Sequence, residues 1–389
     1  MEWQPEIKNW YDGMIQKMPE FARPIVGPAL TQKCEQKCEK RGGKAVSEID
    51  FIISIFEVTP PAIQPQMMQD LESLGIDYVK WLPYVKGGFE HEMDLDKMVG
   101  DLKAIADFAG VKFNEKKVWD VIKAYEEFFA GSSISIRTTT KPKERRDVSI
   151  RYVELMVPHE PDAYKRALDN GFISPNGHPI YDIFYEVDEK FDVMGYGVDL
   201  NVTVGLTKLW SFIAPSPLDL AYGMENLPKG VLEYKDYFKK HNLNTFVLFA
   251  LDYYHKTTNL YFLVKDTANI KRETYEALLE DVGFAIASPE VMDRCCEATT
   301  IYYTFNWESE KVERVCFGIL CPEGASQVPT HFHPIMKSFV EKVPFAVDKR
   351  TFIYSITFTG DDHFFKVEND YNGTMIELLK MGAKAGLDL

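Results

Sequence analysis

The sequence predicts an α+β fold in which ten antiparallel β-strands close into a barrel surrounded by α-helices, with a small helical domain in front. Three observations lead to this prediction. From about Met93 onward, pairs of stretches with strand-like alternation recur, short connections join the two members of each pair, and helical stretches separate the pairs. Hairpins favour antiparallel pairing, and ten such strands close most easily as a barrel with helices outside.

The first fifty residues have a helical pattern. An apolar run over residues 21–30 leads into the charged stretch KCEQKCEKRGG, whose glycines are a helix stop signal. Ser47, followed closely by two acidic residues, is suited to begin the next helix. Prolines cluster over residues 59–65, so we expect a helical domain over residues 1–58 and an irregular linker over residues 59–92.

Residues 93–389 are predicted to form the barrel domain, built from about five α-α-β-β units. The predicted strands cover residues 133–139, 148–157, 198–203, 208–213, 245–251, 259–264, 299–305, 313–320, 351–358 and 363–368. The predicted helices include residues 95–110, 116–130, 161–170, 231–240, 271–282 and 332–342.

Side chains of two kinds alternate along these strands. In the segment TTIYYTFNW, for example, Thr300, Tyr302 and Thr304 alternate with apolar or aromatic neighbours. Successive side chains of a strand point to opposite faces, so one face is apolar and is predicted to pack on helices. The other face has few carboxylates and many Tyr and Thr side chains, which favours the wall of a wide lumen. A solvated outer face is the alternative.

Four cations lie on the polar faces of four separate predicted strands, although the formal net charge of the chain is −15. They are Arg137, Lys208, Arg314 and Lys366. An unpaired buried cation is costly unless an anion meets it, so converging faces would form a pocket for a multiply charged anion. The acidic net charge argues against a general nucleic-acid surface.

Aromatic, hydroxyl and amide side chains share these faces. Cations together with hydroxyl and amide donors are what a diphosphate group requires. Aromatic faces nearby would shield an allylic carbocation through cation–π contacts of about 0.5–2 kcal/mol each. The candidates for this shield are Trp210, Tyr261, Tyr302 and Tyr354. Ordinary core packing is the alternative for each of them.

From about Met93 to its C-terminus the chain resembles the soluble aromatic prenyltransferases of the ABBA, or PT-barrel, family. The resemblance is carried by GLTKLWSF, LDYYHKTTNLYF, IYYTFNWESEKVERVCF and KRTFIYSITFTGDDHFFKVENDY. It implies a ten-stranded antiparallel barrel that transfers a dimethylallyl or geranyl group from its diphosphate to a carbon of an electron-rich aromatic acceptor. The expected partners are therefore a prenyl diphosphate and a small aromatic acceptor, with no nucleic acid and no membrane.

The resemblance, together with the residue types and parity of the predicted strands, gives four sets of candidate site residues. The diphosphate-binding set is Arg137, Lys208, Asn259, Tyr302, Arg314 and Lys366. The prenyl shield is Trp210, Tyr261, Tyr302 and Tyr354, and the acceptor-binding set is Phe212, Val247, Thr300, Phe305, Gly318 and Asp370. The catalytic set is Lys208, Arg314, Glu368 and Asp370, in which the cations stabilise the leaving diphosphate and either carboxylate is a candidate base. Pairing with a lysine is the alternative role for Glu368.

Magnesium-dependent members of the family carry an aspartate on the second strand. The matching position here is Tyr152, with Glu154 two residues on as an alternative, and no DDxxD-type motif is present because Asp361 and Asp362 have the pattern of a hairpin turn. We therefore expect no metal site, no cofactor and no Mg²⁺ requirement, since the cations can take the place of the metal.

The N-terminal residues are similar to the small helical domain named after protochlorophyllide reductase subunits, with a Trp-x-Pro-Glu start and a Pro-x-Phe-x-Arg entry to a helix. That resemblance implies no catalytic residues and is consistent with a docking or stabilising role. The six cysteines lack metal-binding spacing, which favours reduced thiols. No signal peptide or membrane span is evident, so a cytoplasmic protein is expected.

Two other functions remain as alternatives to the prenyltransferase hypothesis. One is a catalytically silent barrel that binds a prenyl diphosphate or a phenolic ligand. The other is an interaction protein whose N-terminal domain supplies the function, although this leaves the predicted cationic lumen unexplained.

Overall fold

The computed structural model describes residues 1–20, 22–40, 43–60, 63–78, 81, 93–126, 132–155, 162–264, 267, 270–376 and 378–379. The chain separates into two compact units. The first consists of Met1–His91 with Met156–Lys165, and the second of Glu92–Leu155 with Arg166–Leu389.

The first unit is a small helical body with its own apolar core. It contains α1 (Pro5–Lys17), α2 (Arg23–Lys40), α3 (Glu48–Val58), α4 (Gln64–Ser73) and a parallel pair of short strands, β1 (Glu2–Trp3) and β2 (Ala45–Val46). Helix α3 begins at Ser47, whose backbone N–H donates to Asp50 Oδ2 at 2.9 Å in a capping box. Helix α4 lies within the expected linker, and its Met67 and Leu71 are buried in the same core.

The second unit is the expected ten-stranded closed barrel, in which every neighbouring pair is antiparallel. Its strands are β3 (Ser133–Thr139), β4 (Val148–Leu155), β5 (Val193–Asn201), β6 (Gly205–Pro217), β7 (Thr245–Asp252), β8 (Thr257–Leu263), β9 (Thr300–Asn306), β10 (Arg314–Cys321), β11 (Phe352–Thr359) and β12 (Asp362–Asp370). The order around the barrel follows the chain, and β12 pairs with β3 to close it. The predicted fold class is therefore confirmed.

Helices precede the first strand pair of the barrel and occupy the connections between the pairs. They are α5 (Leu95–Ala109), α6 (Glu115–Ala124), α7 (Ala163–Asp169), α8 (Ile180–Lys190), α9 (Leu218–Ala221), α10 (Lys229–Glu233), α11 (Lys235–Lys240), α12 (Arg272–Asp281), α13 (Pro289–Cys295) and α14 (Pro334–Lys342). Local chemistry sets their ends. In α5, the Asp94 side chain accepts from the Lys97 N–H at 2.8 Å, and Gly110 ends the helix with a φ of 69°.

The outward face of the barrel packs on these helices. The ring of Phe238 in α11 lies 5.2 Å from that of Phe262 in β8 and 5.1 Å from that of Tyr303 in β9. The other face is the interior, because its side chains contact partners on strands that are not neighbours. Lys366 of β12 reaches Tyr302 of β9, for instance, across two intervening strands. The alternation seen in the sequence thus separates an apolar outer layer from a polar interior.

Two further findings concern the described residues. None of their helices is both long enough and apolar enough to cross a membrane. Cys34, Cys295, Cys296, Cys316 and Cys321 are free thiols, and burial raises the pKa of Cys34 to about 12.

Candidate active site

The four cations predicted from the sequence converge inside the barrel. The clearest sign is Lys366, whose pKa is lowered from its ordinary value to about 7. Burial is the largest cause, and the positive charges of Arg137, Arg314 and Lys208 lower the pKa further. Since these residues come from four different strands, the barrel brings together charges from Arg137 to Lys366, distant parts of the sequence.

Carboxylates and hydroxyl groups hold the lysines in place. Lys208 Nζ lies 3.1 Å from Asp252 Oδ2, and Asp252 in turn caps the β7–β8 hairpin by accepting from the His255 N–H at 2.8 Å. Lys366 Nζ donates to the Tyr302 hydroxyl at 2.5 Å and lies 3.6 Å from Cys316 Sγ. Both ammonium groups are therefore fixed by side chains of other strands, β7 for Lys208 and β9 for Lys366.

The arginines are less tightly held. Arg137 has Nη2 3.7 Å from Asp147 Oδ1 and 3.8 Å from Asp199 Oδ2, both beyond hydrogen-bond distance. Arg314 Nη2 lies 3.5 Å from Glu313 Oε2, and a quarter of its side chain is exposed. The predicted ligand Asn259 faces the interior beside them, and its Oδ1 is buried without a hydrogen-bond partner among the described residues. These groups have donors and acceptors left for a ligand.

Arg151 of β4 is an interior cation that the sequence analysis did not identify. Its Nη1 forms an ion pair with Glu368 Oε2 at 2.9 Å, and its guanidinium carbon lies 4.6 Å from the centre of the Trp210 ring. Ser135 Oγ donates to the other oxygen of Glu368 at 2.5 Å. Parity along the strand could have identified it. Ser149 pairs with the interior residue Arg137, and Arg151 lies two residues further on, on the same face.

Tyr152, the residue matched to the metal-binding aspartate, lies on the opposite face of β4. Its ring is buried against that of Tyr125, next to the C-terminus of α6, at 5.8 Å. Tyr152 therefore does not occupy the interior position that the sequence comparison gave it, and Arg151 does. The side chain of Glu154, the alternative, lies outside the described residues.

An aromatic wall stands beside the cations. The rings of Tyr261 and Tyr302 are stacked, with centres 4.3 Å apart and an interplanar angle of 20°. Trp210 lies 6.4 Å from Tyr261 and 6.1 Å from Phe212. Three of the four predicted shield residues therefore lie in contact with one another, and Trp210 also contacts the predicted acceptor residue Phe212.

Two predicted site residues are not in the interior. Phe305 packs on the helices, with its ring 6.0 Å from Tyr234 and 6.3 Å from Phe238. Tyr354 has the opposite parity from Ser355, which pairs with Lys366 in the interior. Neither side chain lines the lumen, so the predicted acceptor role of Phe305 and the predicted shield role of Tyr354 are wrong.

Asp370 is buried, and its carboxylate closes the turn after β12. One oxygen accepts from the Thr374 N–H at 3.1 Å and the other from the Met375 N–H at 3.0 Å. Burial raises the pKa of Asp370 to about 6. Both oxygens of this carboxylate therefore hold the backbone of the turn in place.

The remaining predicted acceptor residues lie on β7, β9 and β10. Thr300 and Gly318 pair directly in the register of β9 and β10, and a Cβ atom at position 318 would come within 2.5 Å of Thr300 Oγ1. Glycine at this position therefore leaves space for the threonine side chain. Val247 lies at a register shift of β7, between Phe246 and Leu248.

Comparison with known proteins agrees with this architecture. The model of the family described as "Aromatic prenyltransferase Orf2" matches residues 93–383, well over half of the chain. The chain belongs to this family of aromatic prenyltransferases. Like other members, it is therefore a prenyltransferase enzyme, and the matched residues include every strand of its barrel.

Several curated relatives are similar over most of their length. The chain is 27% identical to 5,10-dihydrophenazine-1-carboxylate 9-dimethylallyltransferase of Streptomyces anulatus, over 71% of this chain and 92% of the relative. It is 27% identical to flaviolin linalyltransferase of Streptomyces virginiae, over 70% and 92% of the two chains. The furaquinocin biosynthesis prenyltransferase of Streptomyces sp. (strain KO-3988) is 25% identical, over 76% and 96%.

Among solved structures, the NotF prenyltransferase is similar with a TM-score of 0.47 and 11% identity, over 71% of this chain and 93% of the other. This similarity is too low to add to the family assignment.

Proposed function

We propose that this aromatic prenyltransferase moves a dimethylallyl or geranyl group from its diphosphate to a carbon of a hydroxylated or nitrogen-containing polycyclic aromatic acceptor, in the cytoplasm and without a metal ion. The observation that supports the proposal most strongly is the convergence of Arg137, Lys208, Arg314 and Lys366 beside the stacked Tyr261 and Tyr302 rings. The acceptor class follows the relatives, whose names specify a dihydrophenazine carboxylate and flaviolin.

The cations would act on the leaving group. As the allylic C–O bond breaks, negative charge grows on the diphosphate, and fixed positive groups that meet this charge lower the barrier. Lys208 and Lys366 are suited to this role because Asp252 and the Tyr302 hydroxyl already hold their ammonium groups. Little reorganisation is then required at the moment of reaction.

The aromatic wall would protect the allylic cation. Tyr261 and Tyr302 offer π-faces close to the cation cluster, and each such contact with a desolvated cation contributes up to about 2 kcal/mol. Trp210 shields a second side, with the Arg151 guanidinium over one of its faces. We place the reacting carbon next to the tyrosine pair because the Tyr302 hydroxyl contacts Lys366, one of the proposed diphosphate ligands.

Glu368 is the preferred base for restoring aromaticity. It is buried on the interior face of β12, where Arg151 and Ser135 fix its two oxygens. A carboxylate is a sufficient base for this step, because the protonated ring intermediate is a strong acid. Asp370, the other candidate from the sequence, lies at the end of β12, where its carboxylate closes the following turn.

Metal independence is supported by Arg151. This residue puts a guanidinium at the interior position of the second barrel strand, between Asp199 and Glu368. Among the described residues, no group of three or more His, Cys, Asp or Glu side chains is arranged to hold a metal ion. We propose that Arg151 and Arg137 supply the positive charge that a metal ion would bring.

The proposal is tested by incubating the purified protein with dimethylallyl and geranyl diphosphates, a panel of hydroxylated naphthalenes and phenazines, and EDTA. Prenylated product, detected by mass spectrometry, is expected in EDTA at the rate seen with added Mg²⁺. Loss of product in EDTA that magnesium restores would overturn metal independence. Tight binding of donor with no product from any acceptor would support the silent-barrel alternative.

The lowered pKa of Lys366 predicts a pH-dependent affinity for the donor. The side chain is largely neutral in the free enzyme above pH 7, since its pKa is about 7, whereas an anionic diphosphate favours the charged form. Donor binding above pH 7 must therefore take up a proton, and the affinity should fall by up to about tenfold per pH unit. The charged or titratable neighbours of Lys366 are Arg137, Lys208, Tyr302, Arg314 and Cys316.

Calorimetry with a non-hydrolysable donor analogue at pH 6.5–8.5 checks this expectation. Ionisation of the ligand contributes equally to the pH slopes of wild type and Lys366→Arg. Because the arginine stays charged throughout, the difference between the two slopes reports the ionisation of Lys366. Identical pH slopes in the two proteins would contradict the assigned pKa of Lys366.

A further inference from the structure

Asp199 is an interior carboxylate that the proposed mechanism does not use. It is 1% exposed on β5, and its Oδ2 lies 3.7 Å from Arg151 Nε and 3.8 Å from Arg137 Nη2. Neither distance is a hydrogen bond. Among the described residues, Asp199 Oδ2 and the Nε atoms of Arg137 and Arg151 are all buried without a hydrogen-bond partner.

A β-bulge, and not the arginines, holds Asp199 in place. The register of β5 and β6 shifts between Asp199 and Leu200, so that Thr207 is an extra residue on β6. The Thr207 hydroxyl lies 3.0 Å from the Asp199 carbonyl oxygen, to which it donates, and 3.3 Å from Oδ1. Thr207 therefore holds the backbone of Asp199 and contacts Oδ1, whereas Oδ2 is the oxygen nearest the guanidinium groups.

The arginines also have other anchors. Arg151 pairs with Glu368 and stacks on Trp210, and Arg137 has the carboxylate of Asp147 nearby. Removal of the Asp199 charge would thus leave the ion pair with Glu368 and the stacking contact of Arg151 intact. Asp199 neutralises positive charge in the cluster without organising it through hydrogen bonds.

Asp147, between β3 and β4, is likewise a carboxylate close to cations but beyond hydrogen-bond distance from them. Its Oδ1 is 3.7 Å from Arg137 Nη2, its Oδ2 is 3.7 Å from Lys141 Nζ, and Oδ1 lacks a hydrogen-bond partner among the described residues. A diphosphate oxygen that satisfies the free N–H groups of Arg137 would come within a few ångströms of both carboxylates. Like charges at that distance repel substantially in a protein interior.

We propose that Asp199, supported by Asp147, is a fixed counter-charge that lowers the affinity of the cation cluster for inorganic pyrophosphate and so permits product release. This inference rests on the proposed function, because it takes the cluster to be the diphosphate site. After the prenyl group has been transferred, the cations that stabilised the departing diphosphate must release it as free pyrophosphate. A cluster without internal carboxylates would bind the product more tightly than the reaction requires.

The test is calorimetric titration of purified full-length protein with inorganic pyrophosphate in EDTA at one pH. Asp199→Asn keeps the shape and the acceptor for Thr207 but removes the charge, and it is expected to lower the dissociation constant of pyrophosphate at least tenfold. Pyrophosphate should also become a stronger inhibitor of turnover. Asp147→Asn, at a more exposed position, is expected to shift both quantities in the same direction and serves if the first variant does not fold.

Asp281→Asn is the matched control, since it removes one negative charge from the outer layer, where Asp281 pairs with Lys240 and His241. It should leave pyrophosphate binding unchanged. If wild type forms prenylated product but Asp199→Asn and Asp147→Asn bind pyrophosphate no more tightly than wild type, the counter-charge role alone is overturned. A wild-type protein that neither binds pyrophosphate nor forms product would overturn the proposed function as well.

Discussion

Replacing Lys208 with methionine is expected to lower kcat/KM for prenyl transfer by about 10²–10³, the usual effect of removing one preorganised electrostatic group from an active site. Lys208 is the lysine whose ammonium is held by a buried carboxylate, at 3.1 Å from Asp252 Oδ2. Methionine keeps much of the aliphatic volume, so the loss reports the charge. The measurement is the initial rate at several donor concentrations, with product quantified by mass.

The Lys208→Met experiment has two informative companions. Lys240→Met removes a lysine of the outer layer that pairs with Asp281, and its rate should match that of wild type. Asp252→Asn should reproduce part of the defect, because Asp252 both contacts Lys208 and caps the β7–β8 hairpin. A Lys208→Met enzyme within about threefold of wild type would exclude this lysine from the diphosphate site.

The barrel was predictable because its signals are local. Alternation with a period of two along Ser133–Thr139 or Thr300–Asn306 is set by the pleat of each strand, and hairpin-length connections fix antiparallel pairing. Closure followed from the number of strands. The helix at Gln64–Ser73 was missed since prolines at its start resemble a linker in the sequence, although proline is well tolerated in the first turn of a helix.

The interior was predicted less completely, because a shift of one residue moves a side chain to the other face of the barrel. Tyr354 and Phe305 have the right chemistry for a lumen, but both lie on the outer parity of their strands. Arg151 was overlooked for the same reason, since the comparison of motifs pointed to its neighbour Tyr152. Register between distant strands, which places Arg151 beside Glu368 and Asp199, is not contained in any single segment.

Replacing Arg151 with methionine is expected to lower the free energy of unfolding by about 3–5 kcal/mol, the cost of leaving a buried charge without its partner. Glu368 is 5% exposed and would keep only Ser135 after the loss of its 2.9 Å contact with Arg151. Urea unfolding followed by circular dichroism gives the difference. Arg294→Met, which breaks an exposed pair with Glu297, should change stability by less than about 1 kcal/mol.

The double variant Arg151→Met with Glu368→Gln separates charge from packing. If the uncompensated carboxylate is the cause, neutralising it should recover most of the lost stability, because an amide at position 368 can still accept a hydrogen bond from Ser135. A double variant as unstable as Arg151→Met alone would instead assign the loss to the stacking of Arg151 on Trp210. In that case Arg151 would stabilise the barrel through the aromatic wall, and its ion pair with Glu368 would matter mainly for holding the base.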